Sequence, residues 1–131
     1  MNTKQVIVIR KDLKMRRGKE IAQGSHASMA FLTESAKKGF VYYLFTLIRL
    51  WLHKPSQEWM KGSFAKVCVQ VNSEEELNKI YQLALDKNIM AKLIIDSGRT
   101  EFGGRPTSTA VAVGPDECDK IDQITGNLDL Y

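Results

Sequence analysis

The sequence predicts a single α/β domain with a mainly buried sheet. Strand-sized apolar runs alternate with helical stretches, 44% of the residues are hydrophobic, and the 131 residues fit one compact domain. Strands that are separated by helices usually pair into a sheet that is covered on both faces. The chain contains no internal repeat and no low-complexity linker. We therefore expect one domain over residues 1–131.

The first elements are a strand, a basic loop and a long helix. Lys4 to Arg10 is rich in β-branched residues and ends in charges, which predicts a strand. Asp12 to Arg17 then reads as a loop. From Gly18 to about Lys38 the chain is rich in Ala, Glu, Gln, Met and Leu and contains no Pro. Because Gly39 follows as a natural stop, this stretch predicts a helix.

The next segment, Phe40 to Leu52, is strongly apolar. It is only 13 residues long and is interrupted by Arg49, whereas a membrane-spanning helix needs about 20 apolar residues, so we expect no span. Three alternatives stay open: a helix buried in the domain or in a subunit interface, a surface that binds another partner, and a helix lying in a membrane interface. We expect the segment to be covered, by a second copy or by tight docking, because an exposed apolar patch invites aggregation.

A short helix and a strand–helix pair come next. Pro55 opens a helical piece that runs through Met60. Phe64 to Val71 alternates apolar and polar residues, which predicts the second strand. Asn72 and Ser73 then precede three Glu residues, a pattern typical of a capped helix start, and this helix is predicted to run to about Asp86.

The last third of the chain predicts two strands and one helix. Ala91 to Ile95 is the third strand and ends at Asp96. Thr109 to Val113 is the fourth, and Gly114-Pro115 is expected to end it. A short helix is predicted near Glu117 to Ile124.

The charge is distributed unevenly along the chain. Residues 1–66 carry 13 Lys and Arg against 4 Asp and Glu, whereas residues 67–131 carry 6 against 11. Anionic ligands are therefore expected to approach the first half. Six basic residues crowd into ten positions there, a density that suits a phosphate backbone, although a solvated loop without a ligand remains the alternative. These residues are Arg10, Lys11, Lys14, Arg16, Arg17 and Lys19.

Several common sites are missing from the sequence. The two cysteines, Cys68 and Cys118, are far apart and form neither a disulfide framework nor a zinc motif. The chain contains no GxxxxGK[ST], GxSxG or HExxH pattern, which argues against nucleotide-cleaving P-loops, serine hydrolases and zinc proteases of the common designs. No secretion pattern precedes the first strand. We expect a cytoplasmic protein.

The long helix carries a stripe of polar side chains that could take part in catalysis. At about 100° per residue, Lys19, Gln23 and His26 fall within about 60° of one another, with Ile21 on the opposite side. We predict that this stripe faces away from the core. A Lys, an amide and an imidazole can donate hydrogen bonds, hold an oxyanion and move a proton, as ester hydrolysis requires. The alternative is a solvated helix face with an incidental His.

Two loops near the third and fourth strands add candidate residues. Asp96 stands where a strand ends, at the sheet edge where ligands usually bind in α/β folds. It could orient a water or a Lys, while Arg99 and Thr100 could hold a phosphate; alternatively, Asp96 and Arg99 only tie the turn. The loop from Gly103 to Thr109 offers hydroxyls, among them that of Thr107, for phosphate or ribose oxygens.

Taken together and in this order, these segments resemble the type 2 peptidyl-tRNA hydrolases of archaea and eukaryotes. The most specific block runs from Gly18 to Ala27 and reads GKEIAQGSHA. The likeness extends over most of the chain. It includes VIVIR at 6–10, DLKM at 12–15, Trp59, Gly62, KV at 66–67, DSGRT at 96–100, PTST at 106–109, VGP at 113–115 and ITGNL at 124–128.

The resemblance implies a mixed four-stranded β-sheet flanked by helices, often in a homodimer, that hydrolyses peptidyl-tRNA without a metal or another cofactor. The stretch at about 36–58 departs from the family's usual connection and is expected to be a modified interface. The family's functional cluster falls on Lys19, Gln23, His26, Asp96, Arg99, Thr100 and Thr107.

We divide the roles within this cluster as a hypothesis. Lys19 stabilises the charge on the ester carbonyl, Asp96 orients Lys19 or the attacking water, and His26 moves a proton or fixes that water. Gln23, Arg99, Thr100 and Thr107 bind substrate, as do Lys14, Arg16 and Arg17 of the basic loop. Two other function classes remain as alternatives: a non-catalytic tRNA- or RNA-binding module of the same fold, and a protein-interaction adaptor that works through residues 40–52.

Overall fold

A computed structural model describes residues 1–99 and 101–131; Thr100, predicted to bind substrate, lies outside the described residues. Within these ranges the chain forms four β-strands and five α-helices. The strands are β1 (Thr3–Arg10), β2 (Lys66–Val71), β3 (Ala91–Asp96) and β4 (Thr107–Glu117). The helices are α1 (Arg17–Lys38), α2 (Phe40–Leu52), α3 (Lys54–Lys61), α4 (Glu74–Asp86) and α5 (Cys118–Thr125).

The strands form one mixed sheet in the order β2-β1-β4-β3. β1 pairs with β2 in parallel, and β4 runs antiparallel to both β1 and β3. The middle strands β1 and β4 are buried over most of their length, whereas β2 and β3 are the edges. The predicted α/β domain with a mixed four-stranded sheet is thereby confirmed.

Helices cover both faces of the sheet. α4 and α5 pack on one face, where Val8, Val111, Leu77 and Ile121 belong to the largest core cluster. α1 and α3 pack on the other face, which carries a smaller cluster around Ile7 and Ala110 and a third around Phe31 and Trp59. Burial on both faces explains why β1 and β4 read as nearly continuous apolar runs.

The fourth strand is longer than the sequence predicts. Gly114-Pro115 was expected to end it, but β4 continues to Glu117. Pairing with β1 continues beyond the proline, since Asp116 lies opposite Lys4 and Glu117 lies opposite Thr3 after a register shift. Pro115 removes only one backbone donor, which a bulged part of a strand tolerates.

Helix α2 is not buried in the domain, so of the first alternative for the apolar segment only a helix buried in a subunit interface remains. It packs against α1 and α3, and within α2, all of whose residues are described, only Leu50 is buried. Trp51 remains 70% exposed, and eight other large apolar residues of α2 are also exposed. No helix in residues 1–99 and 101–131 is both long enough and apolar enough to cross a bilayer.

Candidate active site

The candidate site lies where β3 ends and α1 begins. Asp96 is the last residue of β3, and Lys19 is in the first turn of α1. Their side chains form an ion pair in which Lys19 Nζ lies 2.7 Å from Asp96 Oδ1. Both side chains are largely shielded, with 16% of Lys19 and 11% of Asp96 exposed. An ion pair in such surroundings is only weakly screened by salt, so it can hold both side chains in place.

Three donors converge on the Asp96 carboxylate. Besides Lys19, Gln23 Nε2 donates to Oδ1 at 3.3 Å and the backbone N–H of Gly98 donates to Oδ2 at 2.9 Å. The hydrogen bond from Lys19, helped by those from Gly98 and Gln23 and opposed by burial, lowers the pKa of Asp96 below its ordinary value. Asp96 is therefore ionised at neutral pH, and its low basicity makes it a poor acceptor for a proton from water.

The prediction that the polar stripe of α1 faces away from the core is wrong for Gln23, which faces the sheet, although it holds for the exposed His26. Gln23 is only 2% exposed, whereas Ile21, expected on the core side, is 64% exposed. The burial of Gln23 is compensated, because its Oε1 accepts a 2.6 Å hydrogen bond from the buried hydroxyl of Thr109 on β4. With Oε1 occupied in this way, Nε2 is the atom that points at Asp96.

The segment after Asp96 folds tightly over the ion pair. Gly98 has a φ of +78°, and a Cβ at this position would lie 2.2 Å from the carbonyl oxygen of Arg105, so only glycine fits. A 3-10 turn at Phe102–Gly104 follows. Its Phe102 ring lies 5.9 Å from Lys19 Nζ, within range of a cation–π interaction. The loop thus covers Lys19 with an aromatic ring.

The other predicted residues of the cluster lie around this pair. His26 is exposed and lines the same groove as Gln23 and Asp96. Thr107 lies opposite Asp96 in the β3–β4 ladder, and its hydroxyl donates to the carbonyl of Arg105 at 2.9 Å. Arg99 is exposed three residues after Asp96. Asp96 pairs with Lys19 and not with Arg99 in the described structure, so an Asp–Arg pair does not tie this turn.

The basic loop lies directly before the site. Lys14, Arg16 and Arg17 are exposed, and Arg17 begins α1 two residues before Lys19. Arg16 forms an ion pair of 2.6 Å with Glu101, which connects this loop to the turn that covers Lys19. Arg10, by contrast, is buried and tied to Asp12 and to the carbonyl of Ser108. Four basic side chains, including that of Lys11, therefore remain on the surface near the site.

Two contributors were missed from the sequence. Thr109 was placed at the end of the hydroxyl-rich loop and at the start of the fourth strand, and nothing in the sequence indicated that its hydroxyl would meet Gln23. Phe102 carried no signal at all. Among the described residues no group of three His, Cys, Asp or Glu side chains lies close enough to hold a metal ion.

Comparisons with known proteins agree on one family. The family model "Peptidyl-tRNA hydrolase PTH2" matches residues 3–131. A peptidyl-tRNA hydrolase from Methanocaldococcus jannaschii is 39% identical over 97% of this chain and 98% of its own length. One from Methanothermobacter thermautotrophicus is 40% identical over 97% of this chain and 98% of its own length.

A solved structure shares the fold at low sequence identity. It is that of a protein of unknown function from Agrobacterium tumefaciens, which covers all of this chain and 98% of its own, with a TM-score of 0.54 and 15% identity. This likeness concerns the fold alone.

Proposed function

The chain belongs to the peptidyl-tRNA hydrolase PTH2 family, and on that premise we propose that it hydrolyses the ester bond that joins peptide to tRNA in peptidyl-tRNA. The observation that best supports a catalytic role is the shielded Lys19–Asp96 ion pair at the end of β3. It presents a fixed positive charge beside a groove and next to a basic loop. A non-catalytic RNA-binding module needs the basic loop but has no use for a shielded ion pair.

In the proposed reaction, water attacks the carbonyl carbon of the ester and forms a tetrahedral oxyanion. The bond to the ribose oxygen then breaks, the ribose oxygen takes up a proton, and the products are a peptide carboxylate and tRNA. The ammonium of Lys19 has three N–H donors, and Asp96 accepts from one of them. The others are free to donate to the oxyanion, which would be stabilised most strongly in the transition state.

Asp96 and His26 take different parts in this proposal. Asp96, with its lowered pKa, holds Lys19 in position and stays a carboxylate throughout. His26 is exposed in the same groove and carries an imidazole, a group suited to exchanging protons near neutral pH. We therefore propose that His26 accepts a proton from the attacking water. Gln23, held by Thr109, keeps the Asp96 carboxylate oriented from the other side.

The tRNA part of the substrate is proposed to follow the basic loop. Lys14, Arg16 and Arg17 are exposed beside the start of α1, where side chains and helix N–H groups both favour phosphate. Thr107 lies opposite Asp96 in the β3–β4 ladder and the exposed Arg99 follows Asp96 by three residues. We propose that they and Thr100 contact the terminal nucleotide. The basic loop would then position tRNA without taking part in bond breaking.

The proposed activity is tested with a matched pair of substrates. Purified protein is incubated with N-acetyl-aminoacyl-tRNA and with free aminoacyl-tRNA, each with and without EDTA, and release of the amino acid is followed. We expect rapid cleavage of the N-blocked ester that EDTA does not reduce, since Lys19 supplies the positive charge that a metal would otherwise provide. Salt-sensitive tRNA binding without cleavage of the N-blocked ester would instead favour the binding module.

We further propose that the protein is a homodimer in which α2 is covered by a second copy. The support is the run of apolar side chains that this chain leaves exposed on α2, among them Val41, Leu44, Phe45, Ile48 and Trp51. Contiguous patches of this kind usually mark an interface.

We also propose that the protein is located in the cytoplasm, where peptidyl-tRNA arises.

Sedimentation tests the dimer. Wild type should sediment as twice 14.8 kDa, and Phe45→Lys should shift the mass to that of a monomer, because a charge would be buried in the interface. Ile21→Lys, which changes an equally exposed apolar residue on α1, serves as the control and should remain dimeric. A monomeric wild type would leave α2 to another partner.

A further inference from the structure

A groove leads away from the candidate active site between α1 and β3. At one end it includes Gln23, His26 and Asp96, and along α1 it continues past Met29 and Thr33. Its volume is about 430 Å³. Two ion pairs mark its ends, Lys19 with Asp96 and Glu34 with Lys92, so α1 and β3 run side by side in opposite directions along it. The groove is therefore continuous with the proposed site of ester cleavage.

The wall on the sheet side is the edge of β3 itself. Five consecutive residues, 93 to 97, line the groove. Successive side chains of a strand point to opposite faces, so a wall made of consecutive residues exposes the strand's backbone edge. β3 is paired with β4 on one side, and no strand in the described part of the chain pairs with its other side. Its outer N–H and C=O groups face the groove.

The opposite edge of the sheet, which is formed by β2, is not open. There the C-terminal residues lie along β2: Gln70 N–H donates to the carbonyl of Asp129 and Tyr131 N–H donates to that of Cys68, both at 3.0 Å. Val69 and Leu130 form an antiparallel bridge. Open sheet edges are a liability that proteins usually cover. One edge is closed by the chain itself, and the edge that ends at the candidate site is left open.

We propose that the peptide part of peptidyl-tRNA binds in this groove as an extended strand on the edge of β3. This inference rests on the proposed function, because the ester must lie at Lys19 and Asp96. The peptide's C-terminal residue carries the ester and β3 also has its C-terminal end there, so the bound peptide runs parallel to β3. Its N-terminal side leads away from the site, towards Lys92.

Main-chain pairing suits a substrate whose sequence varies. Hydrogen bonds to the edge of a strand are made by the peptide backbone, which every peptide shares, while side-chain pockets provide specificity in this binding mode. Met29, Ala30, Leu93 and Ile95 make an apolar part of the groove wall, and the charged side chains of Glu34 and Lys37 line it towards the C-terminal end of α1. At about 3.3 Å per residue, the stretch from 93 to 97 accommodates roughly four residues of peptide.

The first experiment varies the length of the peptide. N-acetyl-peptidyl-tRNAs with one to six residues are hydrolysed under single-turnover conditions, and kcat/KM is measured for each. We expect kcat/KM to rise by roughly tenfold or more up to about four residues and then to level off, because each added main-chain hydrogen bond contributes until the groove ends. A kcat/KM that is the same for one residue and for four, with the one-residue substrate cleaved, would overturn the groove and leave the proposed function intact.

Two further measurements test whether the dependence of kcat/KM on peptide length arises from strand pairing in the groove. Met29→Trp, which should fill the groove, is expected to abolish the gain in kcat/KM with peptide length, and Ile21→Trp on the solvent side of α1 should leave that gain unchanged. N-methylation of alternate peptide residues should lower kcat/KM at every second position only, since only alternate N–H groups of a strand point at its neighbour. Equal losses at all positions would contradict strand pairing.

A binding assay keeps the inference testable without turnover. Peptides of one to six residues are joined by an amide to 3′-amino-3′-deoxyadenosine, which replaces the ester with a stable bond, and their Kd values are measured by calorimetry. Affinity should increase with length in wild type and not in Met29→Trp. If no substrate is cleaved but this increase is present, the proposed function fails and the groove stands; if the affinity is independent of length, the groove is refuted.

Discussion

The hydrogen bond between Thr109 and Gln23 lies behind the Lys19–Asp96 ion pair, and we expect its loss to lower both the stability of the fold and kcat. Thr109 is fully buried, Gln23 nearly so, and their oxygens are 2.6 Å apart. Thr109→Val keeps the shape of the side chain but removes the donor, so Gln23 Oε1 is left buried without its hydrogen bond. An unsatisfied buried acceptor costs about 1–3 kcal/mol, and we expect the free energy of unfolding to fall by that amount.

Urea unfolding measures this loss, and a matched control is available. Thr125 is also buried and donates to the carbonyl of Ile121 in its own helix, so Thr125→Val leaves no side-chain acceptor stranded and should cost less. The loosened Gln23 should also lower kcat, since Asp96 loses an ordered partner. If Thr109→Val is no more destabilising than Thr125→Val and has the parent's kcat, Gln23 does not depend on this hydrogen bond.

Three other predictions concern charge. Arg16→Ala with Arg17→Ala should mainly raise KM and should lower the slope of log affinity against log salt by about 1 for each lost phosphate contact; an unchanged slope would move the tRNA path elsewhere. Because the folded-state pKa of Asp96 is lowered, its carboxylate stabilises the fold above its ordinary pKa of about 3.9, and this stabilisation is lost as the pH falls through the folded-state value. Between pH 6 and pH 3, the free energy of urea unfolding should therefore fall more for wild type than for Asp96→Asn. Equal decreases would show that the Asp96 carboxylate does not stabilise the fold. His26→Ala should lower kcat in hydrolysis assays by roughly 10²-fold or more as the proton acceptor, whereas an unchanged kcat would exclude that role.

The sheet could be predicted because its signals are local. Apolar runs of strand length and the stops between them placed every strand within a few residues, and Gly39 and Ser73 marked helix boundaries correctly. The end of β4 was missed because a Gly-Pro pair is a local stop signal, whereas the continuation depends on pairing with β1, a partner more than 100 residues away in sequence. Nothing local encodes that register.

The site was less predictable for the same physical reason. Helical periodicity placed Lys19, Gln23 and His26 on one face, but polarity was then taken to mean exposure. Gln23 is buried instead, because Thr109 and Asp96 on the neighbouring strands satisfy its amide. A polar side chain can be assigned to solvent or to the interior only when its partners are known. The exposure of α2 was likewise hidden, since an apolar helix reads alike whether its own chain covers it or not.

The most direct test of the central claim is the single-turnover rate of N-acetyl-aminoacyl-tRNA hydrolysis by Lys19→Ala. The account predicts a kcat lower by roughly 10²–10³ with little change in substrate binding, because the charge interaction is made mainly in the transition state. Asp96→Asn should lose a similar factor, and the double variant should be little worse than either single one, because groups that act as a unit give non-additive losses. A folded Lys19→Ala protein with the parent's kcat and only a raised KM would contradict the account, since Lys19 would then be a tRNA contact.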